Sequence, residues 1–168
     1  MKSSRTDADK QYVSRVELPP EQKAELVALL NQQLANLMDL YSQTKHSHWN
    51  VKGPNFYGTH KMFDALAETV EAHVDKVAER LTALGGVAHG SVRMAASGTE
   101  LAEFPLDLSQ TLDVIGFMAK QYSQAGNSAR TAIDEADELE DAGTADMLTD
   151  VVRELDEALY FLDAHLQK

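Results

Sequence analysis

LVALLNQQLANLMDLYSQTKHSHWNVKGP, residues 26–54, decides the fold. Leu26, Leu30, Leu34, Leu37 and Tyr41 recur at spacings of four and three, and the same stripe reaches His48 seven residues later, the pattern of an amphipathic helix. Gly53-Pro54 ends it, because glycine is poor in a helix interior and the residue before proline is pushed out of the α region. Upstream, Pro19-Pro20 supplies the start, proline being tolerated in a first helical turn. Downstream, a second helix from about Asn55 carries Phe63, Leu66, Val70, Val74, Val77, Leu81 and Leu84 on one stripe and stops at Gly85-Gly86. Residues 85–108 hold four glycines and Pro105 without a long periodic run, which reads as a long connection with one short helix near 91–97. The third helix starts at Asp107 or Ser109 and sets Leu112, Ile115, Ala119, Tyr122, Gly126, Ala129 and Ile133 on its stripe. After a turn near 141–143 the fourth carries Leu148, Val151, Leu155, Leu159, Leu162 and Leu166. No strand pattern competes, so the expected fold is all-α: a four-helix bundle over 19–168. Its long crossover lets the second and third helices run parallel.

A chain of 168 residues is enough for one core and too short for two ordinary domains. The absence of cysteine excludes a disulfide framework, a zinc ribbon, an Fe–S cluster and a thiol nucleophile, so any metal is held by His and carboxylate. No apolar run is long enough for a membrane span, and residues 1–16 lack the apolar segment of a secretory signal, so the expected location is cytoplasmic. The net charge of −12 argues against a body whose whole surface attracts nucleic acid. Residues 1–18 are polar and aperiodic and read as a flexible arm with a net charge of +1, whereas 125–168 carry −9. That acidic strip reads either as a solvated helix face or as a surface that draws in cations.

Three groups can carry chemistry: His48, the pair His60 and Asp64, and the pair Asp75 and Glu79, each pair four residues apart and hence on one helix face. With His60 at zero, Asp64 falls at about 40°, Asp75 at about 60° and Glu79 at about 100° round the second helix. All four share one arc that borders the core stripe. Asp64 and Asp75 are nevertheless roughly 16 Å apart along the axis, too far for one ion. If a second copy packs antiparallel about a two-fold axis, the His60/Asp64 end of one chain meets the Asp75/Glu79 end of the other. His48, near the end of the first helix, then adds an imidazole beside His60. Nitrogen and hard oxygen donors without thiolate suit iron or manganese and also bind zinc.

The run KHSHWNVKGPNFYGTHKMFD (45–64) followed by DKVAERLTALGG (75–86) resembles the signature of the Dps proteins, the mini-ferritins that protect DNA in stressed or starved bacteria. The likeness extends through PLDLSQTLD (105–113), DAGTADMLTD (141–150) and RELDEALYFLDAHL (153–166), covering about 20–168. It implies a ferritin-like bundle assembled into a hollow homododecamer, with ferroxidase sites at the dimer two-folds. The implied ligands, which are also the catalytic residues, are His48, His60 and Asp64 of one subunit with Asp75 and Glu79 of its neighbour. The implied reaction is oxidation of Fe(II) to Fe(III), preferably by hydrogen peroxide and otherwise by oxygen, with ferric mineral stored inside; zinc or manganese are possible competitors. Trp49 resembles a tryptophan beside the centre that relays or quenches oxidising equivalents, with interface filling as its other reading. Lys45 matches a basic position that forms a salt bridge near the site. Asp146 matches a pore position that guides cations; Gly143 stands where some relatives carry a second pore aspartate, and Asp141 is the candidate to replace it. In some relatives a basic arm binds DNA non-specifically, a role that would fall here to Lys2, Arg5, Lys10 and Arg15. A nucleoid-structuring cage in which iron oxidation is secondary is the alternative reading. His46, His73, His89 and His165 match no ligand position and read as surface or interface histidines.

Overall fold

The computed structural model describes residues 11–167. It contains α1 (Pro20–Asn50), α2 (Phe56–Ala83), the short α3 (Val92–Gly98), α4 (Thr111–Glu138) and α5 (Ala142–Leu166). α1 pairs most extensively with α2, and α4 with α5, while α3 rides on α1 within the long crossover. This is the expected four-helix bundle, with one isolated bridge and no strand among the described residues. Leu26, Leu30, Leu34, Leu37 and Leu40 of α1 close on Phe63, Val70, Val77 and Leu81 of α2, Ile115, Met118 and Tyr122 of α4, and Leu148, Leu155 and Leu162 of α5. Burial of these stripes is the main driving force of folding. Tyr122 is fully enclosed; Thr44 spends its own hydrogen on the Leu40 carbonyl (2.7 Å), so the tyrosine hydroxyl donates to Thr44 Oγ1 at 3.0 Å. Burial pushes the Tyr122 hydroxyl pKa well up, against the Thr44 contact.

The α1–α2 corner is tied to the start of α4. Lys52 N–H donates to the Ser109 carbonyl (2.8 Å), and Thr111 N–H donates to the Lys52 carbonyl (3.0 Å). Thr111 Oγ1 is 2.9 Å from both the Lys52 and Pro54 carbonyl oxygens. Gly53 turns this corner at φ +107°, where a side chain would also press on Gln110 Oε1. The end of α1 and the beginning of α2 are thereby held side by side.

Of the arm expected over 1–18, residues 11–18 run along the C-terminal end of α2. Tyr12 N–H donates to the Gly85 carbonyl (2.7 Å), Ser14 Oγ donates to the Ala83 carbonyl (2.6 Å), and Lys23 Nζ donates to the Ser14 carbonyl (3.2 Å). Val16 and Leu18 pack on the core. Lys2, Arg5 and Lys10 lie outside the described residues; Arg15 is exposed.

Three readings are corrected. Leu112 is 58% exposed at the start of α4, where Val114, Ile115 and Met118 turn inward instead, and Leu166 is exposed at the end of α5. His73, read as a surface or interface residue, is completely buried. It stands three residues after Val70 and four before Val77, and so on the core stripe. Burial lowers its pKa against the pull of Glu154.

Candidate metal centre

His48 and His60 are brought face to face by the α1–α2 corner. Their rings stack with centroids 3.8 Å apart and planes 19° from parallel, and Phe56 also stacks on His60, with centroids 5.3 Å apart. Each ring bonds the other residue's backbone: His48 Nδ1 is 2.8 Å from the His60 carbonyl oxygen, and His60 Nδ1 is 2.8 Å from the His48 carbonyl oxygen. A carbonyl only accepts, so both Nδ1 atoms carry the hydrogen, and in the neutral rings both Nε2 atoms present lone pairs. This backbone clamp orients imidazoles for metal binding in the way an outer partner does in known metal sites.

Asp64, one turn after His60, lies beside the pair, with Oδ1 3.7 Å from His48 Nε2. Lys45 Nζ donates to the same oxygen at 2.9 Å. That hydrogen bond, helped by the positive charges nearby, holds the Asp64 carboxyl below the usual carboxylate range against the opposing effect of burial, and it raises the Lys45 pKa in return. The same ammonium stands 6.0 Å from the ring centre of Trp49, which is 67% exposed.

Asp75 and Glu79 do not join this group. They sit farther along α2 and are exposed, turned away from their own chain's core instead of bordering it as the helical arc suggested. Counted from the core stripe they lie nearly opposite, about 155° and about 195° round the helix. Among the described residues no three His, Asp or Glu are grouped closely enough to hold an ion. One chain therefore keeps the two groups of candidate donors apart: His48, His60 and Asp64 lie at one end of α2, and Asp75 and Glu79 toward the other.

The two carboxylates read as pore residues part company. Asp146 is exposed in the first turns of α5. Asp141 is buried and engaged within the chain. It caps α5 by accepting from Thr144, and both carboxylate oxygens lie 2.7 Å from Arg80 Nη2. Arg80 Nε also donates to Thr144 Oγ1 at 3.0 Å, and a side chain at position 143 would crowd Arg80 Nη2. Burial alone would raise the Asp141 pKa; the bonds from Thr144 and Arg80 outweigh it and lower it. The family resemblance had offered Asp141 as a pore carboxylate; within the chain both of its oxygens are engaged by Arg80 and Thr144.

A ferritin-like domain model matches residues 27–168. The DNA protection during starvation protein of Agrobacterium fabrum is 38% identical over 159 residues, an alignment spanning 95% of this chain and 98% of that protein. Among solved structures, DpsC from Streptomyces coelicolor superposes with a TM-score of 0.92 at 26% identity, covering 99% of this chain and 97% of that one. The archaeal Dps homologue from Halobacterium salinarum gives 0.91 at 29% identity, covering 99% and 93%. With the ferritin-like bundle, the sequence likeness over nearly the whole length and the paired histidines together, the chain belongs to the DNA protection during starvation (Dps) family of ferritin-like proteins.

Proposed function

We propose that this protein is a ferroxidase and iron store whose catalytic centre is shared between two copies of the chain. The observation that carries the reading is the clamped pair His48 and His60, whose lone pairs stand beside the ionised Asp64, while the matching carboxylates Asp75 and Glu79 are exposed and out of reach on the same helix. An antiparallel α2–α2 contact brings the two parts together. The exposed aromatic groups Trp49, Phe56 and Tyr57 flank the histidines and give such a contact apolar area to cover. Asp75 and Glu79 are the strong carboxylate ligands in this reading, His48 and Asp64 orient iron, and His60 serves a second iron or a water.

Iron is the substrate. Two Fe(II) ions give one electron each, the O–O bond of hydrogen peroxide breaks, and both oxygens leave as hydroxide or water, so free hydroxyl radical is largely avoided. Trp49 stands where it can take up a stray oxidising equivalent. Assembly as a hollow dodecamer follows the family, and Asp146, without Asp141, is the carboxylate we assign to cation entry. Protection of DNA then comes from removing Fe(II) and peroxide together. Direct DNA binding would rest on the arm, twelve copies of which make weak phosphate contacts count. It predicts retardation of DNA at low salt that vanishes on deleting residues 1–16; no retardation at low salt removes it.

The deciding experiment is stopped-flow absorbance of ferric iron after anaerobic Fe(II) loading and addition of peroxide, alongside Asp75→Asn/Glu79→Gln. Fast oxidation that is lost in an assembled variant upholds the reading; equal slow rates in both defeat it and leave a DNA-structuring cage.

A further inference from the structure

Phe56 and His60 stand one turn apart at the start of α2, and so on one face of the helix. A helical side chain leans back toward the N-terminus of its helix, which carries the His60 ring over the turn that Phe56 opens. The two rings accordingly stack with planes 30° apart, and the 5.3 Å between their centroids lies in the range where aromatic rings attract. The chain fixes Phe56 there with a turn of its own. Asn55 takes the left-handed conformation at φ 60°, and Phe56 N–H donates to the Gly53 carbonyl at 3.2 Å. Phe56 is 44% exposed and lies outside the core cluster, so the bundle's interior does not depend on its ring.

We infer that Phe56 is a positioning residue for the candidate metal centre: its ring sets the tilt of the His60 imidazole, and with it the direction of the Nε2 lone pair. The inference rests on the centre proposed above. Each histidine has one ring nitrogen bonded to the other residue's carbonyl, at 2.8 Å in both cases. Such a bond holds one edge of a ring; the tilt of the plane is set by what lies against its face. His48 cannot set it alone, because it is held by the reciprocal bond and the two rings are free to tilt together. Phe56 ends that freedom from a fixed place on the backbone.

The phenyl ring also favours the loaded state. A cation bound at Nε2 draws electron density out of the imidazole, and the negative face of a phenyl ring attracts an electron-poor neighbour. A leucine fills similar space but has no such face.

The test is a cobalt(II) titration of the metal-free, assembled full chain, read by visible absorption, for wild type, His60→Ala, Phe56→Leu, Phe56→Tyr and Tyr57→Leu. The absorption that His60→Ala abolishes belongs to the centre. There Phe56→Leu is expected to bind cobalt about tenfold more weakly, the loss that follows removal of a group orienting a ligand. Phe56→Tyr keeps the ring and should bind as wild type does. Tyr57→Leu controls for apolar contact area between copies: Tyr57 is 71% exposed and stacks on neither histidine, so its loss should leave the affinity unchanged. Wild-type affinity in Phe56→Leu overturns the inference, as does an equal loss in Phe56→Tyr or Tyr57→Leu, or a spectrum that His60→Ala leaves intact. Should Phe56→Leu fail to assemble, Phe56→Met decides in its place. Failure of the shared-centre reading shows separately, as oxidation rates indifferent to Asp75→Asn/Glu79→Gln.

Discussion

Asp141 satisfies Thr144 and Arg80 with one carboxylate, joining the end of α2 to the start of α5. Its folded pKa is lowered, so its contribution to stability is fully present above the unfolded value of 3.8 and is lost as pH falls through the folded value. Asp141→Asn can still cap the helix but leaves Arg80 without its anion; the expected cost is about 1–3 kcal/mol near neutral pH. In urea denaturation at fixed protein concentration, the gap between wild type and variant should stay level down to about pH 5 and narrow below 3.8. A gap that widens toward acid would contradict this assignment. The residue also shows where sequence reading stops. An aspartate before Ala-Gly-Thr looks the same whether it lines a pore or caps a helix, and the partner that decides, Arg80, lies 61 positions away. His73 misled in the opposite way: its position marked it as core, and its polar type drew it to the surface. His60 and Asp64 were legible because the spacing of four that pairs them is local; the stacking of His48 on His60 depends on the corner between two helices.

Helices were the most legible elements, because a stripe of leucines and valines states its period directly and glycine or proline marks its ends. The apolar residues at two helix ends were not. Leu112 and Leu166 fit the period yet lie beyond the tightly packed middle of the bundle, where Leu166 stands beside the bare face of Gly116. The docking of 11–18 was also beyond periodicity, since it rests on backbone carbonyls at the end of α2. Gly85 makes that docking possible: it sits at φ +92°, and any side chain there would run into the Tyr12 carbonyl oxygen. Gly85→Ala is expected to cost about 1–2 kcal/mol from the left-handed backbone alone. It should also free the segment, which trypsin reports as faster cleavage after the exposed Arg15. Unchanged cleavage with an unchanged melting temperature would show that the Tyr12–Gly85 contact contributes nothing to holding the segment.

At the scale of the whole molecule, the chain holds the two groups of the proposed donor set too far apart to use together, and places Trp49, Phe56 and Tyr57 near the histidines, 67%, 44% and 71% exposed. Both features make sense if a second copy completes the site, and that arrangement has a quantitative signature. Let one variant lack the first part (His60→Ala/Asp64→Ala) and another the second (Asp75→Asn/Glu79→Gln), each inactive alone. When the two are unfolded together and reassembled in equal amounts, half the dimers are mixed. Each mixed dimer has one site with both parts damaged and one with both intact, so roughly a quarter of wild-type fast ferric-iron formation should return. A centre confined to one chain returns none of it, because every chain in the mixture is defective. Mixing the two after separate assembly is the control, and it should stay inactive for as long as the subunits do not exchange.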